Sequence, residues 1–280
     1  MPDDPRVFEA IVEELRRDNP VVLAIITSKE GSGPRDVGAV MAVTVDGRKI
    51  GSIGGGAVER FILEEAAKAL RDMKTRKAKF ALRRENIPGD AIPTNQVCGG
   101  VVEIMLKVVQ PPPKLVLVGA GNVGKPLADM AHILGYRVVV LDTDPRLASK
   151  ERYPYAEHVE HGPVEQLVLK HAVKPWHIVV IAYGEVETDR KTLENLLRKG
   201  FPGHMWLLCS KRRAEYTLNK IRESGIDPEQ FKDRLHMPAG LDIGADTPAE
   251  IAISILAEII AVTRGRKPPI RSLSIFSSTE

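Results

Sequence analysis

The stretch Leu115-Val-Leu-Val-Gly119-Ala-Gly121-Asn122-Val-Gly124 decides the fold. Its four leading apolar residues predict a buried strand. Its glycines stand at the G-x-G-x-x-G spacing, ahead of an apolar helix from Val123 to Leu134. A second apolar run, Arg137 to Leu141, ends in Asp142, roughly 20 residues past the glycines, where the acidic end of a second strand is expected. Gly119 would make the tight turn, Gly121 would let a pyrophosphate approach the backbone, and Gly124 would let helix and strand pack closely. The N–H groups at the helix start, around Asn122, would face the phosphates. Strand, glycines, helix, second strand and acid together predict a mononucleotide or dinucleotide fold, which does not by itself make a dehydrogenase. Asp142 is expected either to accept a hydrogen bond from a ribose 2′-hydroxyl or to cap its own loop. Arg146 nearby leaves NAD and NADP both open, because a guanidinium can receive a 2′-phosphate.

Downstream, strand-like and helix-like segments alternate as in a parallel doubly wound sheet. They are a short strand at His158–Val159, a helix from Val164 to His171, a strand from His177 to Ala182, a helix from Asp189 to Lys199, a strand from Met205 to Leu208 and a helix from Arg212 to Ser224. Thr247-Pro-Ala-Glu250 has the spacing of a capping box, so the last helix is expected to begin there. Upstream, Pro111-Pro-Pro113 reads as a stiff linker. It separates an N-terminal α+β domain at 1–110 from a Rossmann-like doubly wound parallel-sheet domain at 114–264, which a basic tail at 265–280 follows. The N-terminal domain opens with an amphipathic helix from Pro5 to Arg17, carrying Phe8, Ile11, Val12 and Leu15 on one face. Strands are expected at Val21–Ile26, Val40–Val45, Lys49–Ile53, Arg76–Leu82 and Val101–Val109. A helix is expected from Val58 to Met73 and a loop from Arg84 to Gln96.

At 280 residues, 43% hydrophobic and 28% charged, the composition is that of a soluble globular protein. A formal net charge of +3 argues against a nucleic-acid partner. The longest apolar candidate, Ile251 to Val262, is interrupted by Glu258, so no membrane association is expected. The first residues lack a signal pattern, and the two cysteines, Cys98 and Cys209, lie in different domains. Both features point to a reducing, cytoplasmic setting. No zinc spacing, nucleophile elbow or Walker lysine is present, so no catalytic residue is assigned.

Further motifs point to a family. Gly31-Ser-Gly-Pro-Arg35 with Gly38, Gly51-Ser-Ile-Gly54-Gly55-Gly56-Ala-Val-Glu59 and Cys98-Gly99-Gly100 resemble the N-terminal domain of the XdhC/CoxI family. The glycine fingerprint, Asp142-Thr-Asp144-Pro-Arg146, Ser210-Lys-Arg-Arg213 and the segment from His236 through Pro238, Gly240, Asp242 and Gly244 to Glu250 resemble that family's Rossmann domain. These are accessory proteins of xanthine dehydrogenase and related molybdenum hydroxylases. The resemblance implies a maturation chaperone rather than a catalyst. It would bind molybdenum cofactor (molybdopterin), protect it during sulfuration, and help deliver it to the apo-hydroxylase. The implied partners are a sulfurtransferase and a molybdenum hydroxylase of the xanthine dehydrogenase type. The chain has no iron–sulfur cysteine pattern and is short for a whole hydroxylase.

Some relatives carry a cysteine near position 57, where this chain has Ala57, which leaves Cys98 as the N-terminal domain's only thiol. The resemblance makes Cys98 a candidate molybdenum ligand, its thiolate being soft, with Gly99 and Gly100 admitting a bulky pterin. The competing reading is a small buried residue beside a turn. Gly54, Gly55 and Gly56 would cradle the pterin phosphate or simply turn the chain. Glu59 would favour the helix dipole, or serve the pterin as an acid or a hydrogen-bond acceptor. Arg35 would hold phosphate or lie exposed in its turn. Lys211, Arg212 and Arg213 open a helix where positive charge opposes the dipole, so an anionic partner is one reading and a solvated basic turn the other. His236 and Asp242, flanking Pro238 and Gly240 in a loop, would handle protons or be plain loop residues. A homodimer is expected, with NAD(P) or another nucleotide as a guest of the Rossmann site. The alternative functions are an NAD(P)-dependent oxidoreductase, for which no general acid stands out, and a nucleotide sensor.

Overall fold

Val21 to Ile26 is an unbroken apolar run because the strand it starts is covered on both faces. The computed structural model describes residues 4–33, 35–85, 87–94 and 99–266, and the chain divides between Pro111 and Pro112 into two units. In the first unit the strands are β1 (Val21–Glu30), β2 (Val40–Val43), β3 (Lys49–Gly51), β4 (Arg76–Ala81), β5 (Ile92–Pro93) and β6 (Val101–Val109). They form one sheet in the order β3-β2-β1-β6-β4-β5. Side chains alternate across it. Val21, Leu23, Val40 and Ala42 pack with Val7 and Ile11 of α1 (Asp4–Arg16), while Val22, Ala24, Ile26, Met41 and Ile104 pack with Val58, Ile62 and Ala66 of α2 (Gly56–Asp72).

Two expectations change here. Phe8 and Val12 are 50% and 47% exposed, and the inward face of α1 is Val7, Ile11 and Glu14. The face is rotated because Glu14 is buried as a paired charge. Its carboxylate takes Arg48 Nη2 at 2.9 Å and Asn19 Nδ2 at 2.8 Å, tying α1 to the β2–β3 turn. The expected loop from Arg84 to Gln96 contains β5, whose two residues pair with Phe80 and Ala81. So short a strand exists only through its partner.

The second unit is a sheet of six parallel strands. They are β7 (Lys114–Val118), β8 (Arg137–Asp142), β9 (His158–His161), β10 (His177–Ile181), β11 (His204–Leu207) and β12 (Leu235–His236), in the order β12-β11-β10-β7-β8-β9. Strand order reverses between β7 and β10, which is the switch point of a doubly wound sheet. Leu115 and Leu117 point to the face covered by α3 (Gly124–Ile133) and α7 (Pro248–Thr263). Val116 and Val118 point to the face covered by α4 (Val164–His171), α5 (Val186–Arg198) and α6 (Lys211–Glu223).

The capping box at Thr247 and Glu250 is formed. α5 starts three residues before the expected Asp189, because the Glu185 carboxylate accepts from the N–H groups of Glu187 and Thr188 at 3.1 and 2.7 Å. His236, expected in a loop, lies in β12, where its backbone pairs opposite Trp206. Among the described residues no helix is long and apolar enough to cross a membrane.

Candidate functional site

The three fingerprint glycines differ in what surrounds them. A Cβ on Gly124 would lie 1.9 Å from the Gly119 carbonyl oxygen, and one on Gly119 would lie 2.4 Å from the Tyr183 nitrogen. Internal packing therefore demands both. A Cβ on Gly121 would meet nothing within 4 Å, so nothing inside the chain closes over that position. Asn122 is exposed beside it. Asp142 is 3% exposed. One of its oxygens accepts from Ala120 N–H at 2.7 Å and the other from Asp144 N–H at 2.9 Å, so it braces the glycine turn. The more exposed acid is Asp144, gripped by Arg146 through Nε at 3.0 Å and Nη2 at 2.6 Å. That guanidinium holds the Asp144 carboxyl down at about 2. Sequence patterns give no signal for Arg152 and Tyr153, whose Nη2 and hydroxyl donate to the Ala120 carbonyl at 3.3 and 3.1 Å from a distant loop.

At the ends of β10 and β11 the basic run Lys211-Arg212-Arg213 separates into two parts. Arg213 pairs with Asp189 at 2.8 Å, and its backbone N–H is capped by Ser210 Oγ. Lys211 and Arg212 are exposed. Burial pushes the Asp189 carboxyl up to about 6, against the pull of Arg213 and the Gly184 N–H. Burial also pushes the half-buried Cys209 thiol up to about 11, as suits a thiol packed against the core rather than a reactive thiolate. His236 stacks on Trp206 with ring centres 4.3 Å apart, and its Nε2 lies 3.1 Å from His204 Nδ1. Burial lowers both imidazoles, His204 to about 4. Asp242 is exposed, and among the described residues no hydrogen bond joins it to His236. Glu258 of α7 accepts from Trp206 Nε1 at 3.0 Å and from Gly240 N–H at 2.7 Å, which fixes the loop after β12.

In the first unit, register brings three distant motifs to one end of the sheet. Glu30 lies opposite Val101, Met41 opposite Gly51 and Ala81 opposite Val101. The loops holding Gly31 and Gly99 therefore emerge together, while the Gly54 loop leaves the same end of the sheet from β3, level with Ala24 of β1. A Cβ on Gly100 would sit 2.1 Å from the Ser32 carbonyl oxygen, so two of the motifs are packed backbone to backbone. Gly99 is exposed and faces open space. Arg35 is exposed in its turn. Cys98 lies outside the described residues. Gly54, Gly55 and Gly56 have φ of +131°, +72° and +64°, a succession that favours glycine at each position, and nothing lies within 4 Å of a Cβ placed on Gly55. Among the described residues no group of three or more histidines, cysteines or acids is arranged to hold a metal ion.

Glu59 is what orders this triplet. It is 4% exposed. Its carboxylate accepts from Ser52 Oγ at 2.6 Å, Gly55 N–H at 3.0 Å and Lys49 Nζ at 2.5 Å. Burial pushes the carboxyl up, but Lys49, Ser52 and the Gly55 N–H together outweigh it and hold the group below its ordinary range. Glu59→Ala is expected to destabilise the first unit by about 2 kcal/mol, through unmet donors. Because the folded value is depressed, Glu59's contribution is present above the ordinary carboxylate range and lost as pH falls through the folded value. Amide hydrogen exchange along α2 measures this. Protection equal to wild type at neutral pH would show that the carboxylate holds nothing.

A family model described as the XdhC Rossmann domain matches residues 115–259, and one described as the XdhC and CoxI family matches residues 14–82. The chain belongs to the XdhC/CoxI family. This XdhC-family chain is 36% identical over 261 residues to an uncharacterized Escherichia coli (strain K12) protein, YqeB, covering 91% of this chain and 46% of that protein. It is 32% identical over 157 residues to a Bacillus subtilis (strain 168) protein described as a probable subunit of xanthine dehydrogenase, covering 56% of this chain and 45% of that protein. The XdhC-family chain thus spans about half the length of the curated relatives it matches. A crystal structure from Bacillus halodurans, described as a xanthine dehydrogenase, aligns over 94% of this chain and 97% of its own with a TM-score of 0.50 and 23% identity, a likeness of fold.

Proposed function

We propose that this XdhC-family chain is an accessory protein of a xanthine dehydrogenase-type molybdenum hydroxylase. It binds molybdenum cofactor, shields it during sulfuration by a sulfurtransferase, and hands it to the apo-hydroxylase in the cytoplasm, working as a homodimer. The observation that supports this reading is that a Cβ on Gly55 or on Gly121 would meet nothing within 4 Å, so each of these loops leaves room for a guest. Gly54 N–H donates to Ser52 Oγ at 3.3 Å and Gly55 N–H to Glu59 at 3.0 Å, so at this loop the phosphate end of the cofactor would rest over the open glycine surface and the start of α2. Gly54, Gly55 and Gly56 would take that phosphate, with Arg35 adding charge. Gly99, open on its Cβ side, leaves room for the pterin beside Cys98, whose thiolate is a soft donor suited to molybdenum. Glu59 keeps the glycine loop in shape, because its oxygens are engaged within the loop. The bound cofactor supplies the metal centre that the hydroxylase uses, and no residue of this chain is assigned a catalytic step. In the second unit, Gly119, Gly121, Asn122 and Gly124 frame a place for a nucleotide such as NAD(P). The Bacillus subtilis relative, with its description as a probable xanthine dehydrogenase component, supports the choice of partner.

The test is the small molecule released on denaturing protein purified from cells that make a molybdenum hydroxylase. Molybdenum and a fluorescent oxidised pterin are expected in equal amounts, and Cys98→Ser is expected to retain about tenfold less molybdenum. Release of a nicotinamide chromophore without pterin would sink the proposal in favour of an oxidoreductase.

A further inference from the structure

Strand order places β7 between β10 and β8, so the segments leaving β10 and β8 flank the glycine turn that leaves β7. Tyr183 follows β10 closely, and its backbone is held hard against Gly119. Its ring rests on the core of the face covered by α4, α5 and α6. Thr143 directly follows β8 and is exposed. The hydroxyls of these two residues meet, with Thr143 Oγ1 2.6 Å from Tyr183 Oη. This contact between the two flanking strands therefore passes over the carboxyl end of β7, in the crevice where a doubly wound sheet receives its ligand. A dinucleotide lying across the switch point runs from one flank of β7 to the other, so its path crosses the contact. A smaller ligand with its phosphate at Gly121 need not reach it.

We propose that Thr143 and Tyr183 form a latch across the crevice. A phosphorylated ligand of mononucleotide size enters freely, and a dinucleotide is admitted only when the latch opens. The latch rests on the reading of Gly121 as a phosphate cradle. Its cost to a dinucleotide is the closed-to-open ratio of one partly exposed neutral hydrogen bond, about fivefold.

Calorimetric titration of the full chain with AMP and with NAD tests it, using wild type, Tyr183→Phe, Thr143→Val and the double variant. Tyr183→Phe keeps the ring and Thr143→Val keeps the shape, so each removes only a hydroxyl. Each single variant is expected to bind NAD about fivefold more tightly with AMP affinity unchanged, and the double variant is expected to gain no more than either single, because all three lose the same bond. NAD affinity that stays level or falls, an equal gain for AMP, or gains that add in the double variant would each overturn the latch while leaving the cradle intact. Failure of every protein to bind either probe would overturn the cradle, and the latch with it.

Discussion

Gly121→Ala is expected to keep its stability and lose its phosphorylated ligand, whereas Gly124→Ala, only three residues on, is expected to destabilise the fold. The added methyl is the same and the surroundings are opposite. At Gly124 it would stand 1.9 Å from a backbone oxygen of Gly119, and Gly119 is itself wedged against the backbone of Ala182 and Tyr183. Neither neighbour is a side chain that can turn away. Overpacking against such rigid atoms costs about 3 kcal/mol or more. At roughly 2–4 °C per kcal/mol for a unit of this size, the melting temperature of the second unit should fall by about 6–12 °C. At Gly121 the methyl meets open space, and the backbone is not left-handed, so stability should change by no more than about 0.5 kcal/mol. The same methyl occupies the place where a phosphate would approach, so AMP affinity should fall about tenfold or more. Both tryptophans, Trp176 and Trp206, lie in the second unit, so tryptophan fluorescence reports its melting alone. Wild-type AMP affinity in Gly121→Ala would remove the cradle from the proposal.

Between pH 7 and pH 4 the stability gap between wild type and Asp189→Asn is expected to move by about 3 kcal/mol in favour of wild type. Burial raises the Asp189 carboxyl from 3.8 to about 6. A raised carboxyl holds its proton more tightly in the folded state. Its contribution is therefore complete below about pH 4 and is lost as pH rises through about 6. His204 runs the other way. Burial, with His236 and Arg234 alongside, lowers it from 6.5 to about 4, so its contribution is complete above 6.5 and is lost as pH falls toward 4. The two arms are of similar size, about 3 kcal/mol each, and they oppose each other over one window. His171 and His236 are also lowered by burial and add to the acid loss. Wild type should therefore weaken only modestly on acidification, and Asp189→Asn, without the compensating arm, should weaken steeply. Fluorescence-detected melts at pH 7, 6, 5 and 4 give the comparison. A constant gap would mean that Asp189 is ionised throughout.

Most of the second unit is legible in the sequence, and particular residues show why. β7, α3 and β8 carry their instructions locally, as a strand-length apolar run, glycines at a fixed spacing and a helix-length apolar pattern. The capping box at Thr247 is likewise complete within four residues. β12 is not legible because two residues hold no period, and it becomes a strand only by pairing with β11. The loop expected at His236 fails for the same reason. The role of Asp142 is half legible. Its position at the end of β8 is local, but the Ala120 N–H that takes up its carboxylate comes from another loop. In α1, counting apolar residues points to Phe8 and Val12, whereas burial of a paired Glu14 turns the helix toward Val7 and Ile11.

Residue order alone is enough to specify the two units, the order of most helices and strands, and the glycines at which the backbone must turn or lie bare, since periodicity, capping and left-handed turns act over a few neighbours. It does not distinguish Gly121 from Gly124, assign Glu59 to the glycine triplet, or bring Thr143 to Tyr183. The meeting of Thr143 with Tyr183 depends on strand order, which joins segments far apart in the chain, whereas Gly124 against Gly119 and Glu59 against Gly55 are near in sequence and are settled by how each turn folds back on itself.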